Sequence, residues 1–118
     1  LEEKEVDHIV SIFKKHGAEA KVSSIHVNGW FGDYDKLSMC KIFCEKVLGF
    51  SLEQNLDIAA FVGDSPNDEP MFGFFSESFG VANLKKFLNR LQVQPRYLSS
   101  KPYGEGFAEV TERILALQ

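Results

Sequence analysis

The stretch "FVGDSPNDEPMF", residues 61–72, places two aspartates and an asparagine in a proline-broken loop directly after an apolar run. That run, residues 58–62, does not alternate polar and apolar side chains, as expected for a strand covered on both faces. In open α/β sheets, ligands bind beyond the carboxyl ends of the strands. Asp64 follows Val62 at such an end. The sequence therefore predicts a functional site in this loop.

Working outward from the loop, helix-like and strand-like segments alternate along the chain. The predicted helices cover residues 3–16, 36–48, 69–75, 84–91 and 105–117, and the predicted strands cover residues 20–28, 58–62, 79–82 and 96–99. Parallel strands need crossover connections, and helices supply them. The alternation therefore predicts an α/β fold in which helices pack on the faces of a parallel sheet.

Size and charge narrow the classes of function. The chain has 118 residues, 44% of them hydrophobic, which is enough for one compact core. Its net charge is −4 and its 13 basic residues do not cluster, which argues against a nucleic acid or an anionic membrane as partner. No apolar stretch approaches the roughly 20 residues of a membrane span, and the acidic start lacks the layout of a signal peptide. We therefore expect a cytoplasmic protein.

The spacing of Cys40 and Cys44 fits neither a redox pair nor a zinc site and predicts two reduced helix residues.

The acidic loop has two interpretations from its residues alone. Asp64, Asn67 and Asp68 offer oxygen ligands with no histidine or thiol nearby, a set that favours a hard cation such as Mg²⁺ over zinc. In the other interpretation, Pro66 and Asn67 form a turn, and Asp68 or Glu69 caps the following helix. The spacing does not decide between them.

Lys36 presents a similar choice. It lies at the first turn of a predicted helix, where a cation opposes the macrodipole at a cost of roughly 0.3–1 kcal/mol. Asp33 and Asp35 could offset that cost structurally. The functional alternative is a lysine directed at a bound phosphate or a nucleophilic carboxylate.

Four segments together resemble a known family. "DK" at 35–36, "GDSPNDEPM" at 63–71, "FGVAN" at 79–83 and "GEGF" at 104–107 resemble the C-terminal half of haloacid-dehalogenase-superfamily phosphatases, within the branch of Cof-type, sucrose and mannosyl-3-phosphoglycerate phosphatases. The resemblance implies a Rossmann-like three-layer αβα core with a parallel sheet. Residues 35–118 would form the C-terminal half of that core, and residues 1–34 the C-terminal remnant of an α+β cap domain.

The resemblance also implies roles for individual residues. Asp64 would bind Mg²⁺ directly, and Asp68 would hold a metal-bound water or a second coordination position. Asn67 would support the phosphate or the nucleophile, and Lys36 would neutralise charge on the nucleophile and the transferring phosphoryl group. The implied activity is Mg²⁺-dependent hydrolysis of a small phosphorylated metabolite, with a sugar phosphate expected, through an aspartyl-phosphate.

The sequence departs from the family pattern in three places. Leu37 and Met39 replace the glycine and the small residue that usually follow the lysine. Neither the aspartate-rich nucleophile motif nor the Ser/Thr phosphate-binding motif occurs in the 118 residues. The chain also starts at Leu1, so we expect a piece of a longer protein that is inactive alone.

The missing motifs predict a partner for the apolar strand. In the family, the strand that carries the nucleophile pairs with the strand at residues 58–62, which would otherwise be an apolar edge. We expect the N-terminal half of the same protein, or self-association, to cover it. The alternatives to a phosphatase are a phosphomutase and a noncatalytic binding or assembly module that retains the fold.

Three aromatic residues lie near the predicted site. Trp30 and Phe31 follow the first predicted strand and could touch substrate, although packing or loop anchoring also explains them. Tyr103 follows a strand end and could border the site, although loop structure suffices to explain it.

Overall fold

The computed structural model describes residues 2–23 and 25–117. Its α-helices are α1 (Glu3–Lys15), α2 (Lys36–Phe43), α3 (Glu69–Phe74) and α4 (Tyr103–Ala116), and its strands are β1 (Glu19–Val22), β2 (Val27–Trp30), β3 (Ala60–Gly63), β4 (Glu77–Gly80) and β5 (Tyr97–Leu98). Short 3-10 helices cover Glu53–Ile58, Pro66–Asp68 and Ala82–Arg90, and a π-helical turn covers Cys44–Leu48.

The strands form two sheets. One is a three-stranded parallel sheet in the order β3-β4-β5, and the other is an antiparallel pair of β1 and β2. In the parallel sheet Gly63 is the register partner of Gly80, so β3 and β4 end side by side. The fold is therefore mixed α/β, and the predicted parallel sheet is confirmed.

The prediction of a single strand over residues 20–28 is wrong. The chain reverses there, and β1 pairs with β2 as an antiparallel hairpin. The Ser23 N–H donates to the carbonyl oxygen of His26 at 2.8 Å, which closes the turn. Ile25, which falls within the predicted strand, is 82% exposed in this turn. The turn lacks the glycine or asparagine that usually marks a hairpin, so the apolar alternation concealed it.

The structure refines three further predictions. The segment predicted as helix 84–91 is a 3-10 helix, Ala82–Arg90. The helix predicted over residues 36–48 is α2 followed by a π-helical turn, and it ends as expected at Gly49, whose φ of +77° favours glycine. The strand predicted at 79–82 is β4, which begins and ends two residues earlier.

Helices cover both faces of the parallel sheet. Phe61 of β3 stacks on Phe75 at 5.7 Å and meets Phe72 of α3 edge-on at 5.7 Å. Successive residues of a strand point to opposite faces, and Phe79 of β4 lines a cavity with Val110 of α4 on the other face. Both clusters of buried apolar side chains pack against Phe61, so the core lies on the α3 face of the sheet.

Strand β3 forms one edge of the parallel sheet within the part of the chain that the structure describes. Exposed apolar side chains lie on α2, on the π-helical turn and two residues before β3; they are Met39, Ile42, Phe43, Val47, Leu48 and Ile58. Coverage of this edge by another strand stays a prediction, as does the division into residues 1–34 and 35–118. Across the described ranges, no helix has both the length and the apolar character that crossing a membrane requires.

Candidate functional site

The acidic turn after β3 is closed by Asp68. Its Oδ2 accepts the backbone N–H of Asp64 at 2.9 Å and the N–H of Ser65 at 3.3 Å. Asp68 is only 3% exposed. A Cβ at Gly63 would lie 2.6 Å from this same oxygen, so a side chain there would displace the carboxylate. The expected turn is therefore present, but the expected cap is not, because the Asp68 side chain makes no capping hydrogen bond to α3. Its other carboxylate oxygen remains for a further contact.

That further contact is Lys36. Its Nζ donates to Asp68 Oδ1 in an ion pair that joins the start of α2 to the acidic turn. The Asp68 side chain is 4% exposed and that of Lys36 is 44% exposed, so the lysine keeps access to solvent. The helix start places it there, because Asp35 caps α2 by accepting the Ser38 N–H at 2.8 Å.

The pKa of Asp35 reflects this cap. The backbone N–H of Ser38 holds the pKa of the Asp35 carboxyl below its ordinary value, and the Ser38 side chain adds to the effect. Lys21 contributes a weaker Coulombic attraction. Asp35 therefore acts on α2 and on Lys21, whereas the ion-pair partner of Lys36 is Asp68.

Asp64 is held by a side chain from the 3-10 helix that follows β4. The Asn83 Nδ2 donates to Asp64 Oδ2 at 3.3 Å, and Asn83 Oδ1 accepts the backbone N–H of Tyr103 at 2.9 Å. Asp64 directly follows β3, and Asn83 is the third residue after β4; because β3 and β4 end side by side, the two side chains lie close together. Sequence reasoning missed this residue, although it ends the segment "FGVAN" beyond a predicted strand.

Lys36, Asp64 and Asp68 line one open cavity of about 350 Å³. We name it the strand-end cavity; its remaining lining residues are Phe61, Val62, Gly63, Val81, Tyr103, Gly104 and Phe107. Three of the four residues predicted for the site thus share one cavity. Tyr103, noted in the sequence as a border residue, is among them.

Asn67 lies on an adjoining cavity instead. Its Oδ1 accepts a hydrogen bond from Ser65 Oγ at 2.8 Å. This second cavity, of about 240 Å³, is lined by Lys21, Asn28, Trp30, Tyr34, Asp35, Lys36, Met39, Asn67 and Pro70. Lys36 lines both cavities, so a molecule that extends from one to the other would pass its amine.

Trp30 gives the second cavity an aromatic wall. Its Nε1–H donates to the carbonyl oxygen of Tyr34 at 2.9 Å, and the two rings lie 6.3 Å apart. This bond anchors the loop between β2 and α2, as one of the sequence interpretations expected. Phe31, by contrast, is 71% exposed.

The donor set can be compared with the needs of Mg²⁺. No hydrogen bond from the described residues reaches Asp64 Oδ1, whereas both oxygens of Asp68 are engaged. Among residues 2–23 and 25–117, no three or more histidine, cysteine or acidic side chains gather into a metal cluster. Mg²⁺ is commonly bound by one or two carboxylates together with waters and phosphate oxygens. Asp64 fits that chemistry as a direct ligand, and Asp68 fits a role in holding Lys36.

Comparison with known proteins adds a structural likeness. No family model matches the sequence, and no curated protein matches it. The crystal structure of Thermoplasma acidophilum 0175 superposes with a TM-score of 0.63 at 18% identity, over 98% of this chain and 48% of that one. At this identity the likeness shows the fold alone. The chain spans about half the length of the protein it resembles.

Proposed function

We propose that the chain is the C-terminal part of a Mg²⁺-dependent phosphohydrolase of the haloacid dehalogenase type, acting on a small phosphorylated metabolite such as a sugar phosphate. The observation that carries the proposal is the strand-end cavity, in which a solvent-accessible lysine, its buried carboxylate partner and a second carboxylate meet at the carboxyl end of β3. This is where open α/β sheets bind ligands.

Each residue of the site would have a distinct role in phosphoryl transfer. Lys36 would neutralise charge on the phosphoryl oxygens, and its 44% exposure leaves the amine accessible to a ligand. Asp68 would keep that amine in place, because its carboxylate is itself fixed by the backbone of Asp64 and Ser65. Asp64 would hold Mg²⁺, which, when bound, supplies positive charge to the phosphoryl oxygens. Asn67, on the adjoining cavity, would contact the part of the ligand beyond Lys36.

The proposal assigns the remaining chemistry to chain outside these 118 residues. The nucleophile and the second phosphate-binding motif would come from the other half of the core, whose first strand would cover the edge of β3. In this scheme residues 35–118 form half of a Rossmann-like αβα core, and residues 1–34 the remnant of a cap. We expect the complete enzyme to be cytoplasmic and to require Mg²⁺, and this chain alone to be inactive.

The direct test is phosphate release by the intact protein. It should release inorganic phosphate from members of a panel of phosphorylated sugars in the presence of Mg²⁺ and not after chelation with EDTA. Asp64→Asn should abolish that release, whereas Asp57→Asn, a matched change at an exposed aspartate, should leave it unchanged. Full Mg²⁺-dependent turnover by Asp64→Asn would contradict the proposal.

The same assay separates the alternatives. An isomerised sugar phosphate without free phosphate would identify a phosphomutase. Absence of both products with every substrate, together with absence of Mg²⁺ binding by the intact protein, would favour a noncatalytic binding or assembly module.

A further inference from the structure

Asn83 connects two walls of the strand-end cavity. Its side chain lies between the Asp64 carboxylate, 19 residues earlier, and the Tyr103 backbone, 20 residues later. Asp64 and Tyr103 both line the cavity. A single amide therefore sets the position of the proposed metal ligand relative to the first turn of α4.

The orientation of this amide is determined by its two partners. The Tyr103 N–H is a donor, so the atom that faces it must be the carbonyl oxygen Oδ1. The amide nitrogen Nδ2 then faces the Asp64 carboxylate, which only accepts when ionised. Asparagine satisfies both partners, whereas an aspartate could not donate to Asp64 and a leucine could do neither.

The backbone around Asn83 is also fixed. The Ala82 N–H donates to the carbonyl oxygen of Lys101 at 3.1 Å, and the Val81 N–H donates to that of Gly63 at 3.1 Å. Leu84, the next residue, is completely buried. The amide is therefore presented from a rigid segment tied directly to the residue before Asp64, as a positioning group needs to be.

We propose that Asn83 is the positioning residue for Mg²⁺ at this site. By holding Asp64 Oδ2, it leaves Asp64 Oδ1 as the oxygen that binds the ion, and by holding Tyr103 it fixes the opposite wall of the cavity. This inference rests on the proposed function. Partners that orient a metal ligand in this way typically contribute about 10- to 100-fold to metal affinity.

The test compares Asn83→Leu and Asn83→Ser with Asn89→Leu, a change at an exposed asparagine of the same 3-10 helix. Calorimetric titration of the intact protein with MgCl₂ should show the Mg²⁺ dissociation constant raised about 10- to 100-fold in both Asn83 variants and unchanged in Asn89→Leu. In phosphate release, raising the Mg²⁺ concentration should restore most of the turnover of Asn83→Ser. A purely structural role would lower turnover at every Mg²⁺ concentration.

A readout without metal keeps the inference testable if Asn83→Leu folds poorly. In the metal-free protein, the Tyr103 amide proton of Asn83→Ser should move upfield and exchange faster with solvent, because it has lost its acceptor. Mg²⁺ binding by both Asn83 variants within about twofold of wild type, or an unchanged Tyr103 amide in Asn83→Ser, would overturn this inference alone. Absence of Mg²⁺ binding by the wild-type protein would overturn the proposed function with it.

Discussion

The parallel sheet and the N-terminal unit, formed by α1 and the β1–β2 hairpin, are held by different kinds of contact. The sheet packs on side chains such as Met71 and Leu84, which are 1% and 0% exposed. In α1 no residue is buried, and among the described residues before α2 only Ala18 and Ala20 are buried apolar side chains. The comparison teaches that Asp64 and Asp68 follow the well-packed sheet, whereas Lys36 begins α2, in which no residue is buried. The N-terminal unit contributes the wall of the adjoining cavity from a more weakly attached position.

Exposed ion pairs contribute to the contact between the two regions. Arg90 of the 3-10 helix pairs with Asp7 at 3.0 Å and with Glu3 at 3.4 Å. The acidic side chains of these pairs are 60% and 68% exposed. Such pairs are typically worth about 0–1 kcal/mol, much less than a buried leucine.

The largest effect should come from the site on the sheet. Lys36→Met should lower phosphate release by the intact protein about 10²- to 10³-fold, the usual cost of removing one donor that stabilises transition-state charge. Lys41→Met is the matched control on the same helix, since Lys41 pairs with Glu53 on the surface. Equal activity losses in the two variants would show that the position of Lys36 next to Asp68 has no special role.

The next largest effect is on stability, where a variant in the sheet can be compared with one in the N-terminal unit. Leu84→Ala should lower the free energy of unfolding by about 2–5 kcal/mol, because it removes a completely buried side chain. Ile9→Ala on α1 should cost less than half as much, since Ile9 is only partly buried. Urea denaturation measures both. Similar losses would contradict the difference in packing between the sheet and the N-terminal unit.

A smaller effect should come from the cap of α2. Asp35→Ala should destabilise the protein by about 1 kcal/mol. The folded pKa of Asp35 lies below its ordinary value of 3.8 because of the Ser38 N–H. The stabilisation of the folded protein by the ionised Asp35 carboxylate is therefore fully present at pH values above that ordinary value. It is lost as the pH falls through the lower folded pKa. Unfolding curves of wild type and Asp35→Ala should converge at low pH; a constant difference between pH 7 and pH 2 would contradict this.

The smallest effect should come from Arg90. Arg90→Met should lower the free energy of unfolding by about 0–1 kcal/mol in low salt. The loss should be smaller still in 1 M NaCl, because salt screens the exposed ion pairs. Thermal unfolding at the two salt concentrations measures it. A salt-independent loss comparable to that of Leu84→Ala would show that Arg90 is part of the core.

The sequence predicted the elements that local patterns determine. The helix predicted over residues 3–16 is α1 (Glu3–Lys15), and the chain leaves the helix just before Gly17, whose φ is +77°. The acidic turn followed from an apolar run that stops at "GDSPND". The hairpin was missed because its turn has no glycine signal. The helix predicted over residues 84–91 is the 3-10 helix Ala82–Arg90; a short apolar pattern does not distinguish the two helical forms.

The connections between elements were harder to predict. The pairing of Lys36 with Asp68 spans 32 residues, and the contacts of Asn83 span 19 and 20. Such contacts depend on strand register, which the sequence fixes only through the whole fold. The sequence therefore identified the carboxylates and the lysine as candidates, while the structure identified Asn83 as the residue that positions Asp64.

The central claim, that Asp64 binds a divalent ion beside a phosphate held by Lys36, is tested most directly by crystallography of the intact protein grown with MnCl₂ and phosphate. The anomalous difference map should show one Mn²⁺ at about 2 Å from an Asp64 carboxylate oxygen, with a phosphate oxygen within hydrogen-bonding distance of Lys36 Nζ. A Mn²⁺ peak away from the strand-end cavity, with both Asp64 oxygens free of metal, would contradict the account.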